Sequence, residues 1–154
     1  MSNHIHQQLQ HKTAVFFSQS GKCDSKMKYS REDHLPAEEF IGLAQRVWPG
    51  EYDVTSVQEA LGRTINITAR KDGELAGCVR VLTDGYFFGT IPEILVDPNY
   101  RRKGVGRRLM ELAWEASPTS LYFGAQPGNE GFFEKASFER GVQSFWKKKE
   151  RRQK

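Results

Sequence analysis

Val96-Asp97-Pro98-Asn99-Tyr100-Arg101-Arg102-Lys103-Gly104-Val105-Gly106-Arg107-Arg108-Leu109 decides how the rest of the chain is read. Ile94, Leu95 and Val96 form a short apolar run that suits a buried strand, and a proline turn follows. Val105, Leu109, Leu112, Ala113 and Ala116 then recur on one helical face. A strand that feeds a helix through glycines makes an anion site. The first-turn N–H groups lack partners inside the helix, and the macrodipole is positive at that end. Gly104 and Gly106 carry no Cβ, so a ligand can approach the main chain. Arg101, Arg102, Lys103, Arg107 and Arg108 add cations. A phosphate or pyrophosphate is the natural occupant.

The spacing alone does not name that occupant. Arg-x-x-Gly-x-Gly also fits an ordinary helix start with a solvated basic face. It is not the dinucleotide fingerprint Gly-x-Gly-x-x-Gly, which sits after an early strand. No Gly-Lys-Ser/Thr follows, which excludes a Walker loop.

Arg101-Arg102-Lys103-Gly104-Val105-Gly106 resembles the Arg/Gln-x-x-Gly-x-Gly/Ala pyrophosphate loop of the GNAT N-acetyltransferase superfamily, and Val96-Asp97-Pro98-x-Tyr100-Arg101 is similar to its lead-in. Gly131-Phe132-Phe133-Glu134-Lys135-Ala136-Ser137-Phe138 resembles the family's "FY-x-K-x-GF" segment. The resemblance runs from Met27 to Lys147. It implies an α/β (α+β) fold, with a mixed central sheet of about six to seven strands splayed into a V and about four flanking helices. It also implies acetyl-CoA as cosubstrate, with no metal. Pantetheine would lie in the V against the main chain of Ile94, Leu95 and Val96.

Composition agrees. The chain has 154 residues, 38% hydrophobic and 27% charged, which suits one soluble domain with an adequate core. No apolar run approaches the ~20 residues that span a bilayer. Met1 to Gln10 lacks the basic start and apolar stretch of a signal peptide. Cys23 and Cys78 fit no metal or disulfide framework, so the cytoplasm is the expected compartment. Residues 1–26 read as an N-terminal arm, 27–147 as the domain and 148–154 as a basic tail. From Lys147 to Lys154, six basic residues face one acid. A solvated end explains this run more simply than nucleic-acid binding, since no nucleic-acid fold motif accompanies it.

The expected order is α-α-β-β-β-α-β-α-β, with a further short strand near Met27–Ser30. Helices are expected from Pro36 to Trp48, Val54 to Leu61, Lys103 to Ser117 and Gly128 to Lys135. Asp72-Gly73 and Asp84-Gly85 mark hairpins. Tyr86 to Asp97 reads as a long central strand, with a bulge or splayed edge at Pro92. Leu121-Tyr122-Phe123 reads as a short buried strand and Gly141 to Lys147 as the last one.

Acetyl transfer to an amine needs a neutral nucleophile. A lysine-like amine with a pKa of ~10.4 is about one part in a thousand neutral at pH 7, a cost of roughly 4–5 kcal/mol without a base. By the resemblance, Glu93 is the candidate base; pairing with Arg80 and a water chain are its alternatives. A backbone N–H near Leu95 would face the oxyanion. The resemblance puts a tyrosine beside the CoA sulfur where this chain has Phe133, which cannot donate a proton. Tyr100 and Tyr122 are the substitute acids. Asn129, Lys135 and Phe133 are candidate cofactor contacts by the same resemblance, with helix capping the alternative for Asn129. Arg80, Asp84 and Phe87 are candidate acceptor contacts, and hairpin chemistry alone also accounts for Asp84. The run Tyr86-Phe87-Phe88 suits an apolar acceptor or a homodimer contact. Cys78 reads as core, and His4, His6, His11 and His34 as no metal site. The expected activity is direct acetyl transfer to a primary amine, a small molecule ahead of a protein amino group. The rival is a non-catalytic acyl-CoA-binding or regulatory module.

Overall fold

The computed structural model describes residues 26–141 and 144–150. Cys23, His4, His6 and His11 lie outside them, as does the expected arm apart from Lys26. The elements run β1 (Lys28–Arg31), α1 (Ala37–Val47), α2 (Val54–Leu61), β2 (Ile65–Lys71), β3 (Glu74–Thr83), β4 (Gly89–Thr90), β5 (Ile94–Val96), α3 (Val105–Ala116), β6 (Leu121–Tyr122) and α4 (Glu130–Lys135). A single 3-10 turn, Pro98–Tyr100, joins β5 to the α3 approach. The mixed sheet of six strands and its four helices match the expected architecture.

The sheet is a middle layer. Ile67, Ala69, Val79 and Val81 pack against Val105, Leu109, Met110 and Ala113 of α3 on one face. Cys78 and Leu95 pack against Phe40, Leu43 and Ala44 of α1 and Leu61 of α2 on the other. Period-two alternation along β3 makes this division. Helix α1 begins at Pro36 without a side-chain cap of its own. Gln58 of α2 completes that end: its Oε1 accepts the Ala37 N–H (2.9 Å) and its Nε2 donates to Leu35 O (3.1 Å). Trp48, expected as the last residue of this helix, lies past its end and is half exposed.

β2 and β3 join through Asp72-Gly73, both with positive φ (52° and 87°), as the expected tight hairpin requires. The second hairpin differs. Asp84 to Phe88 form a five-residue loop between Thr83 and Gly89, which are paired. Asp84 Oδ1 accepts the N–H groups of Tyr86 (2.9 Å), Phe87 (2.8 Å) and Phe88 (3.0 Å). Those donors are lost to any ladder, so the central strand cannot begin at Tyr86 as expected.

The central strand is also broken further on. Leu82 pairs with Thr90, and Val79 with Ile94. Three steps along β3 thus face four along its partner, so one extra residue is inserted at Ile91-Pro92. Pro92 has no N–H to give, which fits the bulge expected there. The insertion changes which face Glu93 shares: it lies opposite Arg80, on the α1 side, instead of following Ile91 into the α3 core. Beyond the bulge the sheet forks. β4 pairs in parallel with β6, whereas β5 pairs only with β3. The second edge of β5 therefore opens into the expected V.

Gly89 sits where the fork closes. A Cβ there would meet Thr119 Oγ1, and would stand 3.1 Å from both the Ser120 carbonyl and Leu121 Cδ2. The backbone carbonyl cannot swing aside. Gly89→Ala is expected to separate β4 from β6 and cost about 1–3 kcal/mol, measurable by urea unfolding.

Two expectations about the far end are corrected. Leu121-Tyr122-Phe123 is not buried throughout, because Tyr122 is half exposed and Phe123 follows the strand. The described residues of the Gly141–Lys147 stretch form no strand, and residues 142 and 143 lie outside the description. Phe145 and Trp146 are exposed there, which is not the alternating burial a paired strand needs.

Candidate functional site

The site is built where β5, the start of α3 and the α1 face of the sheet meet. Main-chain direction along β5 follows from two bonds. Arg80 N–H donates to Glu93 O (3.2 Å), and Asp97 N–H donates to Ala76 O (2.9 Å). Hydrogen-bonded pairs alternate in an antiparallel ladder, so Leu95 also turns its amide and carbonyl toward Cys78 on β3. Ile94 and Val96 turn theirs toward the V. This corrects the expectation for Leu95. Its N–H is committed to the sheet and its side chain is buried under α1, so it offers the opening nothing polar. Ile94 and Val96 carry the outward edge. Val96 O accepts Arg101 Nε at 3.2 Å.

The strand hands over to the helix through Asp97. This carboxylate is almost fully buried and accepts the Asn99 N–H (2.9 Å) and Arg46 Nε (2.6 Å). Arg46 also donates to Leu75 O (2.9 Å) and Gly42 O (3.0 Å), which ties α1 to the head of the loop. Fifty-one positions separate Arg46 from Asp97, and nothing local in the sequence announces the pair. Arg46→Ala is expected to leave Asp97 without its charged partner and to lower stability by about 1–3 kcal/mol in urea unfolding.

Gly104 is the N-cap of α3, in the left-handed region (φ 80°, ψ 0°), with nothing within 4 Å of where a Cβ would stand. The first bond along the helix runs from Arg108 N–H to Gly104 O (3.0 Å). The N–H groups of Val105, Gly106 and Arg107 precede it and have no partner inside the helix. Gly106 plays a different part from Gly104: its missing Cβ admits the Phe132 ring, whose Cζ would lie 3.2 Å away. It joins α4 to α3, which leaves Gly104 as the open glycine of this turn.

The cations divide. Arg107 and Arg108 pair with Glu111 at 3.1 Å along the exposed helix surface. Such pairs contribute about 0–1 kcal/mol and are readily exchanged for a phosphate. Lys103 Nζ stands 5.6 Å over the Tyr100 ring. Arg102 is exposed, has φ 58° and makes no ion pair among the described residues. These groups fit a diphosphate: unpaired amides, a positive dipole end, open space over Gly104 and cations at the rim.

On the α1 face, Arg80 and Glu93 form a two-pronged ion pair, with Nε on Oε1 and Nη2 on Oε2 at 3.0 Å. Both side chains are largely buried, and the guanidinium lies 5.6 Å from the centre of the Phe40 ring. The structure thus realises the pairing alternative for Glu93. It also occupies Arg80, which has no free fork for an acceptor carboxylate while the pair holds.

The other candidates separate by face. Tyr122 lies opposite Thr90, shares the α1 face, and stacks on Phe88 with ring centres 5.5 Å apart and planes 4° from parallel. Tyr100 packs with the α3-side cluster and does not join Glu93. Phe133 lies in that cluster too, 4.8 Å from Phe123 and 5.0 Å from Phe132 between ring centres. Asn129 is the N-cap of α4, but its side chain makes no capping bond. Lys135 closes the same helix. Asp84 is spent on its own loop: the N–H groups of Phe88, then Tyr86 and Phe87, hold its carboxyl below the usual range. Phe87 is at the loop tip and touches Tyr86 edge-on, so Phe88 is the ring turned to the sheet. Cys78 is core as expected, its thiol pushed up to about 12 chiefly by burial. Among the described residues, no group of three or more His, Cys, Asp or Glu is placed to hold a metal, and no helix is long and apolar enough to cross a membrane.

Comparison with known proteins agrees with this geometry. The acetyltransferase (GNAT) family model matches residues 29–138. No curated protein matches in sequence. Solved structures are similar in fold. A GNAT family acetyltransferase from Streptococcus pneumoniae is 21% identical, with a TM-score of 0.65, covering 81% of this chain and 100% of its own. The aminoglycoside acetyltransferase AAC(6')-Iy, solved with a CoA-linked bisubstrate analogue, is 19% identical with a TM-score of 0.65, covering 82% and 99%. Glucosamine-6-phosphate N-acetyltransferase from Arabidopsis thaliana is 16% identical with a TM-score of 0.65, covering 80% and 99%. With the family model spanning the sheet, the forked strand and the glycine turn together, the chain belongs to the GNAT family of acetyl-CoA-dependent N-acetyltransferases.

Proposed function

We propose that this protein transfers an acetyl group from acetyl-CoA directly to a small-molecule primary amine, with no covalent enzyme intermediate. One observation carries the reading: the outward main-chain edge of Ile94 and Val96 leads through the corner at Asp97, held by Arg46 and the Asn99 N–H, straight to the open helix start at Gly104. An extended thioester with a diphosphate at its far end suits that path. The diphosphate meets the amides of Val105, Gly106 and Arg107, with Arg102 and Lys103 beside it, and pantetheine runs along β5.

The amine arrives from the α1 face. Glu93 accepts its proton, directly or through one water, and Arg80 fixes the carboxylate's direction. The amine nitrogen then bonds to the acetyl carbon and the C–S bond breaks. The Ile94 N–H, in place of Leu95, is the main-chain donor that faces the developing oxyanion. The thiolate is protonated as it leaves, with Tyr122 as the phenol on that face. The balance is one ammonium and one thioester giving one amide, one thiol and one proton.

Two observations favour a second reading, a non-catalytic acyl-CoA-binding module: Phe133 stands where relatives by resemblance carry a phenol, and Arg80 occupies Glu93. Thiol release from acetyl-CoA across a panel of amines separates the two. Turnover of at least one amine is expected; tight CoA binding with no turnover over the panel supports the module.

A further inference from the structure

We infer that the acceptor is an amine on an apolar, aromatic body, seated on a shelf formed by Leu82, Phe88 and Tyr122. The inference rests on the proposed acetyl transfer and names the substrate class of that same site. Leu82 follows Arg80 by two residues on β3 and so shares its face, about 7 Å along the strand. Thr90 pairs with Leu82 on one side and Tyr122 on the other, so the three lie in a row across that face. α1 covers this face as far as Arg80, through Phe40, and goes no further. Leu82, Phe88 and Tyr122 are left 44%, 49% and 53% exposed, an apolar surface around Thr90 on the sheet face that the Arg80–Glu93 pair shares. Uncovered apolar surface continuous with a reactive carboxylate is a binding surface by default.

The shelf is rigid. Three main-chain bonds to Asp84 Oδ1 set the loop, and Thr83 Oγ1 donates to Phe88 O at 2.8 Å. Phe88 is thereby held parallel to Tyr122. A flat ring added to that stack gains area at little entropy cost.

The shelf is also poor in polar groups. Besides the Tyr122 phenol, Thr90 alone brings a hydroxyl to the row of Leu82, Thr90 and Tyr122, and the Asp84 carboxylate is turned into its loop. A polyhydroxylated aminosugar would lose more water here than these hydroxyls can replace, which disfavours it. An amine on a short alkyl chain bearing a ring reaches Glu93 with its ring on the shelf.

The test measures thiol release from acetyl-CoA by the full chain with 2-phenylethylamine, hexylamine and glucosamine at one alkaline pH. The expected kcat/KM for phenylethylamine exceeds that for glucosamine by at least tenfold. Phe88→Ala is expected to raise KM for phenylethylamine about tenfold and to lower the phenylethylamine-to-glucosamine ratio of kcat/KM by about the same factor. Sedimentation of both proteins accompanies the assay. Equal use of the amines, or no change of preference in Phe88→Ala, overturns the inference while acetyl transfer stands. A dimer that dissociates in Phe88→Ala makes the shelf an interface between copies and overturns it too. Failure of acetyl-CoA to bind, or no turnover of any amine, overturns the transfer reading and the shelf with it.

Discussion

Gly104→Glu abolishes acetyl-CoA binding while the protein stays folded. The expected loss of affinity exceeds 100-fold, or about 2.7 kcal/mol. Two effects coincide at this position. Its φ of 80° suits glycine, and an L side chain there costs about 1–2 kcal/mol of stability. Nothing lies within 4 Å of the added Cβ, so the carboxylate meets no clash. It projects into the space over the helix start and takes the amides that a diphosphate needs. Gly104→Ala separates the effects. It carries the backbone strain without the charge, so it should lose stability and keep most of its affinity. Calorimetric titration with acetyl-CoA, beside thermal unfolding of both variants, reads the two costs apart. Wild-type affinity in Gly104→Glu contradicts the placement.

Glu93→Gln lowers turnover by about 10²–10³ near neutral pH, the range of a lost general base. The loss shrinks as pH rises toward the pKa of the acceptor amine, about 10 for an alkylamine, because neutral nucleophile becomes plentiful without help. The substitution also strips Arg80, a largely buried cation, of its counter-charge, which costs about 3 kcal/mol of stability. Rates are therefore read only where urea unfolding shows the variant fully folded. An equal loss at every pH removes Glu93 as the base and leaves it as a structural partner of Arg80.

Much of the fold is legible in the sequence, because periodicity and turn chemistry are local. The α2 bounds, the Asp72-Gly73 hairpin, the α3 face and the bulge at Pro92 all follow from residues within one or two turns of each other. The errors lie where a distant or polar interaction overrides the pattern. Tyr86-Phe87-Phe88 reads as strand because aromatic residues favour sheets; Asp84 diverts their amides into a loop. Leu95 is expected to face the opening because the family resemblance puts pantetheine against Ile94, Leu95 and Val96 and the oxyanion donor near Leu95. Its direction depends on ladder register, which a one-residue bulge reverses. Met110 is fully buried in α3 although it lies beside the anticipated stripe.

The site shows the same division. The proposed phosphate turn is continuous in sequence, so glycine spacing and charge point to it. The proposed acceptor side is assembled from β3, the central strand, β6 and α1, and no spacing rule connects Arg80, Glu93, Phe88 and Tyr122. Two carboxylates expected to meet ligand have internal partners, Asp84 through main-chain amides and Glu93 through Arg80. A sequence shows which acids are present; only the folded chain shows which of them are occupied.

Amide chemical shifts followed during titration with CoA test the central claim most directly. The account predicts that Gly104, Val105, Gly106 and Arg107 shift together and saturate at one stoichiometric equivalent, with Ile94 and Val96 following along β5. Saturable binding that leaves those amides unmoved while others shift contradicts it.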